Sequence, residues 1–266
     1  MNDKLINNLV LCLSGPYGAG SSSIKSELIK ILSDWPGCSV DEINVADLIS
    51  IYYEHLIGSL QEYESEKATR REQLQNAGTQ LRQKFGEDFI GKIICEDIYN
   101  KGHSKEQEKD DDIHTMVYIV DSIKNTNDIK ILQKIYINEI YLIYTYADRV
   151  TRWRRMVNYK SWREDERSIF EHLDQIDQNE KKINDVGDSG QQVAKLASLA
   201  DYYVVNNQNL EKIIQDCERF LYVLFGNSLC AKNQPTQHES CMHIAYSASN
   251  RSFCLSRQVG AAIVDN

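Results

Sequence analysis

Short apolar runs alternate with longer amphipathic stretches along most of the chain. Runs of this length, rich in β-branched and aromatic residues, are typical of strands buried on both faces of a parallel sheet. The predicted strands are residues 9–13, 116–120, 140–144 and 202–205. The segments between them are long enough to hold the helices that connect parallel neighbours. The pattern predicts an α/β fold with one mostly parallel sheet flanked by helices.

Apolar residues recur at helical spacing in several connecting segments. The predicted helices are residues 21–33, 45–63, 66–99 with breaks near Gly78 and Gly86, 210–225, and 238–253. Residues 101–112 are strongly charged, so we expect a solvated surface loop there. A further apolar run at residues 257–264 predicts a last strand.

Turn-forming residues between positions 226 and 235 indicate a domain boundary after the helix predicted at 210–225. We therefore predict one domain at residues 1–226 and the start of a second at residues 227–266. A segment of about 40 residues is too short for an independent core. The second domain is thus expected to be incomplete, and the chain to be a truncated part of a longer protein.

The charge of the chain excludes some classes of protein. Its 266 residues include 30 Lys and Arg against 39 Asp and Glu, a formal net charge of −9. This acidity argues against coating of duplex DNA, because the phosphate backbone favours clustered cations. The longest apolar runs are far shorter than the ~20 residues that cross a bilayer, and the N-terminus lacks the pattern of a secretory signal. Scattered cysteines without a C-x-x-C pair fit a reduced compartment. We expect a cytoplasmic protein without membrane contact.

A glycine cluster, GPYGAGSS, directly follows the first predicted strand. It has the spacing of a phosphate-binding P-loop, G-x-x-x-x-G-K-[ST], with Ser21 at the lysine position. Backbone N–H groups of such a loop surround an anion, and the following helix adds its positive end. We expect it to bind the phosphates of a purine nucleoside triphosphate or a deoxynucleotide. The predicted binding residues are Gly15, Tyr17, Gly18, Ala19, Gly20, Ser21 and Ser22. The alternative is a strand-to-helix turn without a ligand.

The missing lysine bears on catalysis, because in P-loop enzymes it neutralises charge on the β- and γ-phosphates. Binding is therefore a firmer expectation than fast catalysis. Lys25, one helical turn after Ser21, could reach back, although a solvated surface lysine is the favoured interpretation. Ser22 and Asp121, which ends the strand predicted at 116–120, are candidate Mg²⁺ ligands. For Asp121 the alternative is a turn aspartate.

Basic residues outnumber acidic ones between Asp148 and Arg167, although the chain is acidic overall. Arginines of such a segment can clamp phosphates from a lid through bidentate contacts. Arg149, Arg152 and Arg163 are the predicted nucleotide-binding residues of this segment. The alternative is a charged surface helix with internal ion pairs.

Four segments, taken in order, resemble a P-loop nucleotide kinase over residues 8–225: the glycine cluster, VYIVDSIKN, IYLIYTYADRVTRWRR and ADYYVVNNQNLEKI. Residues 248–265, ASNRSFCLSRQVGAAIVD, resemble the first helix and strand of the deoxycytidylate (dCMP) deaminase family. The two parts together are similar to the layout of bacterial anti-phage dCTP deaminases. This resemblance implies a homo-oligomeric enzyme that deaminates deoxycytidine nucleotides and depletes dCTP during infection.

Deaminases of that family bind Zn²⁺ through one His or Cys and two Cys and use a glutamate as proton shuttle, in the motifs H-x-E and P-C-x-x-C. Neither motif occurs here, so we expect the zinc ligands beyond residue 266 and no catalytic residue for deamination in this chain. The alternative for the local cluster Cys230, His238, Cys241 and His243 is a structural zinc site. The competing functions are a nucleotide or small-metabolite kinase, against which Ser21 counts, and a nucleotide-binding regulatory module.

Overall fold

The computed structural model describes residues 7–59, 67–106, 115–179, 190–207, 210–225, 235–253 and 258–265. Contacts divide the chain into two units, Met1–Glu218 and Arg219–Asn266. The domain boundary predicted at residue 226 lies outside the described residues. No helix among the described residues is long and apolar enough to cross a bilayer.

The first unit is built on a parallel sheet whose described strands follow the order β2-β3-β1-β4-β5. Its strands are β1 (Asn7–Ser14), β2 (Cys38–Asn44), β3 (Thr115–Asp121), β4 (Ile140–Tyr146) and β5 (Tyr202–Val205). All four predicted strands are confirmed as neighbours in one sheet. Together with the glycine-rich turn after the central strand, this parallel sheet and its flanking helices give the unit the α/β fold predicted from the sequence.

Strand β2 was not expected from the sequence. It lies at the edge of the sheet, and of its seven side chains only that of Ile43 is buried. Asp41 and Glu42 interrupt the apolar pattern, as is common on edge strands that face solvent. Strand β2 therefore lacks the continuous apolar run by which the other strands, including β5 at the opposite edge, are recognised.

Helices cover the sheet and connect its strands. In the first unit they are α1 (Ser21–Ser33), α2 (Val45–Leu56), α3 (Lys67–Phe85), α4 (Phe89–Glu106), α5 (Thr126–Ile135), α6 (Arg149–Lys160), α7 (Arg167–Asn179) and α8 (Val193–Ala197), and α9 (Leu210–Leu224) crosses the boundary between the units. The helices α2, α3 and α4 are inserted between β2 and β3. This insertion supplies one wall of the site described below.

Two sequence expectations in this insertion are corrected. Gly78 does not break a helix: it lies inside α3, where a Cβ would be 3.4 Å from Ile49 Cδ1 of α2, an ordinary van der Waals contact. The break at Gly86 is confirmed, with a left-handed φ of 112°. Residues 101–106 of the expected charged loop belong to α4, which continues to Glu106, and the rest of that expected loop lies outside the described residues.

The core of the first unit surrounds the central strand. Val10, Leu11, Cys12 and Leu13 of β1 are fully buried, which accounts for the unbroken apolar run at this point of the sequence. A buried ion pair, Arg82 Nη2 to Asp128 Oδ2 at 2.5 Å, joins α3 to α5 beside this core.

The second unit contains the helix α10 (Gln237–Ser249), which begins with a capping box formed by Thr236 and Glu239. The strand predicted at 257–264 is not seen in the described residues 258–265, which have no regular secondary structure and no strand paired with them in the part of the chain that the structure describes. Gly260 instead packs against α10, where a Cβ would lie 1.9 Å from Ala245 O. These residues do not show a deaminase domain.

Candidate functional site

The glycine-rich segment, residues 15–22, connects β1 to α1 at the carboxyl edge of the sheet. Strand β1 lies between β3 and β4, so the chain leaves it at the point where the strand order reverses. In open α/β sheets this crevice is the usual position of ligand sites. The fold thus places the predicted phosphate loop where a ligand is expected.

The backbone of the loop is shaped to receive an anion. Gly18 and Gly20 have left-handed φ values of 77° and 90°, which residues with a side chain rarely adopt. The N–H groups of Ser21 and Ser22 open α1, and among the described residues neither donates to a backbone acceptor. Free N–H groups at the positive end of a helix favour a bound anion.

Side chains from distant segments hold the loop from outside. Tyr17 N–H donates to Asp177 Oδ2 at 2.6 Å, and Arg152 Nη1 donates to Tyr17 O at 2.9 Å. The carbonyl of Ala19 accepts from Arg155 Nη1 at 3.2 Å and from Asn206 Nδ2 at 2.8 Å. These bonds fix the backbone of the loop at Tyr17 and Ala19 through partners in α6, α7 and the segment after β5.

The loop opens onto a cavity of about 620 Å³, within the usual range for small-molecule sites. Its lining includes every loop residue from Pro16 to Ser22. The charged side chains that line it, among the described residues, are Arg71, Lys124, Arg155, Lys160 and the carboxylate of Asp121. The excess of cations suits a ligand with several negative charges.

A smaller cavity of about 210 Å³ adjoins the first at the carboxyl ends of β2 and β3. The two share Arg71, Asp121, Ser122 and Lys124. Gln75 also lines the smaller cavity, and its buried Oε1 has no hydrogen-bond partner in the described part of the chain. A buried orphan acceptor is costly unless a ligand or water satisfies it.

Lys25 is not the solvated lysine favoured by the sequence. Its side chain is 18% exposed and forms an ion pair with Glu42 and another, at 3.0 Å, with Asp121 Oδ2. Burial works against the charge of Lys25, but the hydrogen bonds that its ammonium group donates to Glu42 and Asp121 outweigh burial and raise its pKa. The ammonium group of Lys25 is therefore already paired with two carboxylates.

Ser22 and Asp121, the candidate Mg²⁺ ligands, line the same cavity. Hydroxyl and carboxylate oxygens suit Mg²⁺, which proteins usually bind through few side chains and substrate phosphates. The pair with Lys25 holds Asp121 in place beside the loop. These residues fit Mg²⁺ at the mouth of the loop.

Sequence reasoning missed Lys124, which lies just after β3. Its Nζ donates to Gly15 O at 2.7 Å, and it lines both cavities. Burial lowers the pKa of Lys124 to about 8; Arg71 adds to this effect, and Asp177 and Asp121 oppose it. No motif spacing marks this residue, because it reaches the loop from a neighbouring strand and not from the loop's own helix.

The three arginines predicted to bind nucleotide have different surroundings. Arg152 is 3% exposed and pairs with Asp174 at 2.5 Å while supporting Tyr17. Arg149 pairs with Asp174 and Glu171. Neither of these two arginines lines the larger cavity, whereas Arg155 of the same helix does, although it was not predicted from the sequence as a binding residue.

Arg163 is 75% exposed and pairs with Asp165 and Glu166. Neither Arg149 nor Arg163 lines either cavity. Their role in nucleotide binding stays a prediction from the sequence.

The His and Cys residues of the second unit show no metal centre. His238, Cys241 and His243 lie on α10, and the described residues contain no group of three or more His, Cys, Asp or Glu side chains able to hold a metal ion. Cys230 lies outside the described residues, as does Arg257 of the deaminase-like segment.

Comparison with known proteins finds distant relatives. No family model matches the chain. The UPF0200 protein of Saccharolobus solfataricus is 20% identical over 218 residues, which cover 82% of this chain and 95% of that protein. The UPF0200 protein of Thermoplasma volcanium is 24% identical over 195 residues, 72% of this chain and 95% of that protein.

Several solved kinases are similar at low scores. Shikimate kinase from Acinetobacter baumannii, in complex with shikimate, has a TM-score of 0.39 and 14% identity, covering 85% of this chain and 97% of that one. The APS kinase of Mycobacterium tuberculosis, in complex with AMPPNP and APS, has a TM-score of 0.40 and 13% identity, covering 83% and 99%. At these scores the likeness carries no argument about function. The deaminase part expected from the tail finds no support in these comparisons.

Proposed function

We propose that the first unit binds a nucleoside triphosphate with Mg²⁺ in the larger cavity and transfers its terminal phosphoryl group to a small metabolite. The observation that carries this proposal is the arrangement of the two cavities. One is built on a phosphate loop and lined by cations, and the other adjoins it across Asp121, Ser122 and Lys124. A donor and an acceptor placed in the two cavities would meet at this shared lining.

Phosphoryl transfer depends mainly on positioning and on neutralising negative charge. The N–H groups of Ser21 and Ser22 would hold the phosphate chain at the start of α1. Arg155 and Lys124 add positive charge on the lining of the same cavity. These groups could stabilise the charge of the reacting phosphates without the usual loop lysine.

Ser22 and Asp121 would hold the Mg²⁺ ion. When bound, the ion would supply further neutralisation of the β- and γ-phosphates. Asp121 would keep its place through Lys25, whose ammonium group lies 3.0 Å from its Oδ2.

The smaller cavity favours a small metabolite over a second nucleotide as acceptor. Its volume of about 210 Å³ lies below the roughly 300–1,000 Å³ of sites for larger ligands. Gln75 Oε1 would accept a hydrogen bond from a donor group of the acceptor, such as a hydroxyl. Arg71, which lines both cavities, would suit an anionic acceptor.

The kinase was the weaker interpretation of the sequence, and it now replaces deamination as our proposal. The fold supports a kinase, whereas neither the second unit nor the comparisons support deaminase, zinc or anti-phage roles. Nucleotides as ligands follow from the proposal. Assembly into a homo-oligomer stays a prediction by resemblance.

Titration calorimetry with ATP, GTP and dCTP, with and without Mg²⁺, tests nucleotide binding by the wild-type chain. We expect saturable binding of at least one nucleotide, strengthened by Mg²⁺. Ser22→Ala should remove most of the Mg²⁺ effect while leaving metal-free binding unchanged. Ser104→Ala is the matched control, since this exposed serine of α4 bonds only within its own helix, to Asn100 O at 3.0 Å. Failure of the wild type to bind any of the three nucleotides would contradict the proposal.

Transfer itself is measured as nucleoside diphosphate formed when a set of small hydroxylated or anionic metabolites is supplied with the bound nucleotide. Arg71→Met and Gln75→Leu should both lower diphosphate formation with the preferred acceptor. Gln75→Leu should keep a nucleotide affinity close to that of the wild type. Diphosphate formation unaffected by both substitutions would remove the smaller cavity from the proposal.

A further inference from the structure

We propose that Lys124 supplies the phosphate-contacting ammonium group that the loop itself lacks at Ser21. The inference rests on the proposed nucleotide binding in the larger cavity and assigns to that site a residue from outside the P-loop motif.

Strand pairing brings Lys124 to the loop. Leu13 of β1 is in register with Asp121 of β3, and the pairing extends one step further through the bond from Ile123 N–H to Leu13 O at 2.8 Å. The next residue is Lys124, whose Nζ lies 2.7 Å from Gly15 O, the first residue of the loop. The ammonium group therefore enters from the adjacent strand, whereas a loop lysine would enter from α1.

Several of the other cations near the loop are held by protein acceptors, whereas Lys160 is an exposed residue at the end of α6. Lys25 pairs with Glu42 and Asp121. Arg71 pairs with Asp177 at 3.4 Å and lies over the ring of Tyr17.

Arg155 is held by Ala19 O and by both side-chain and backbone oxygens of Asn206. Lys124 differs, because within the described residues its Nζ contacts a single acceptor, the neutral carbonyl of Gly15. An ammonium group has three donors, so two remain for phosphate oxygens.

The position of Lys124 also matches the task. It lines both cavities, so its ammonium group lies at the boundary where a transferred group would pass. In P-loop enzymes the lysine follows the β- and γ-phosphates during transfer. A cation at this boundary is placed to do the same.

Protonation of Lys124 provides a signature that a purely structural lysine would not give. Burial lowers its pKa to about 8; Arg71 on α3 lowers it further, and Asp177 on α7 and Asp121 on β3 oppose this. Phosphates at hydrogen-bond distance would raise the pKa again. Nucleotide binding at pH 8 to 9 should therefore take up a proton, and affinity should weaken as pH rises above about 8.

The experiment is calorimetric titration of Mg²⁺–ATP, or of whichever nucleotide binds the wild type, from pH 6.5 to 9.5, repeated at pH 8.5 in two buffers of different ionisation enthalpy. Wild type should show proton uptake and weaker binding at high pH. Lys124→Met should bind about 10- to 100-fold more weakly at pH 7, as expected for a charge-assisted hydrogen bond. It should also lose both the uptake and the pH dependence in this range.

Two further variants complete the test. Ser21→Lys combined with Lys124→Met restores a lysine at the usual loop position and should regain most of the lost affinity. Lys92→Met makes the same chemical change on the exposed face of α4, where Lys92 pairs with Asp88 at 2.8 Å, and should bind as the wild type does.

The possible results separate the two proposals. Wild-type binding without proton uptake, together with an unchanged pH profile in a folded Lys124→Met, would overturn the role of Lys124 while nucleotide binding stands. Weak binding of Lys124→Met that the Ser21→Lys change does not rescue would mean that Lys124 only supports Gly15, which also overturns it. A wild type that binds no nucleotide would overturn both proposals.

Discussion

Arg152→Met tests whether the buried arginine of α6 supports the fold or contacts the nucleotide. Its guanidinium donates to Tyr17 O at 2.9 Å, Ala147 O at 3.1 Å and Asp174 Oδ1 at 2.5 Å. With three protein acceptors and 3% exposure, it has little capacity left for a ligand. The structure therefore predicts a loss of stability, whereas the sequence pattern predicted a loss of phosphate binding.

The size of the loss follows from the surroundings of Asp174. Removing one partner of a buried ion pair leaves the other charge uncompensated and costs about 3–5 kcal/mol. Arg149 Nε stays 3.3 Å from Asp174 Oδ2, and this half-exposed partner places the expected loss near 3 kcal/mol, the lower end of that range. Each kcal/mol shifts the melting temperature by about 2–4 °C in a unit of this size, so the variant should melt about 6–12 °C lower.

The assay is urea and thermal unfolding followed by circular dichroism, with nucleotide titration on the folded variant at low temperature. Arg154→Met, at an exposed position of the same helix, is the control and should change stability by no more than about 0.5 kcal/mol. Affinity of folded Arg152→Met should fall less than tenfold, since only the support of Tyr17 O is lost. Unchanged stability together with a large loss of affinity would refute this reasoning and favour the sequence-based prediction.

Three further outcomes are expected. Gly20→Ala adds a side chain at a residue with a φ of 90° and would place its Cβ 2.3 Å from Asn206 Nδ2. The variant should therefore lose about 1–3 kcal/mol of stability in urea titrations and bind nucleotide more weakly. The pKa of Lys124 is about 8 in the folded protein, below its ordinary value of 10.5, so between pH 8 and 10.5 the unfolded chain binds this proton more than the folded one does. The free energy of unfolding should therefore rise with pH over this range, and Lys124→Met should reduce the rise. Arg82→Met leaves Asp128 buried and unpaired, so unfolding in urea should show a loss of about 3–5 kcal/mol, and a loss under 1 kcal/mol would contradict the burial of this pair.

Which parts of the fold the sequence predicts depends on how each segment is buried. The inner strands were recognised because both of their faces are covered, so every residue from Val10 to Leu13 is apolar. Strand β5 was recognised from its apolar composition alone, since it lies at an edge and is partly exposed. The edge strand Cys38–Asn44 carries charges on a half-exposed surface and gave no such signal. The run at 257–264 has the composition of a strand, but a strand needs a neighbour, and composition cannot show whether one is present.

The residues of the candidate site also differ in how clearly the sequence marks them. The predicted phosphate loop could be singled out from the sequence because its residues are contiguous and their spacing carries the chemistry. Lys124 and Arg155 were not recognised as site residues, because they reach the loop through strand pairing and helix packing over long sequence separations. Arg152 matched the composition of a phosphate clamp, but composition does not reveal that Asp174 and Tyr17 already occupy its donors.

The hydrogen bonds that hold the loop from outside join residues far apart in the sequence. Tyr17 is bonded to residues 135 and 160 positions away, and Ala19 to one 187 positions away. The binding shape of the loop is therefore a property of the complete unit, and a peptide spanning only β1, the loop and α1 would lack it. By linkage, a ligand held by the loop stabilises the distant segments as well. Nucleotide should accordingly slow hydrogen exchange in α6 and α7 as well as at the start of α1, and a change that loosens α7 should weaken binding without touching the ligand.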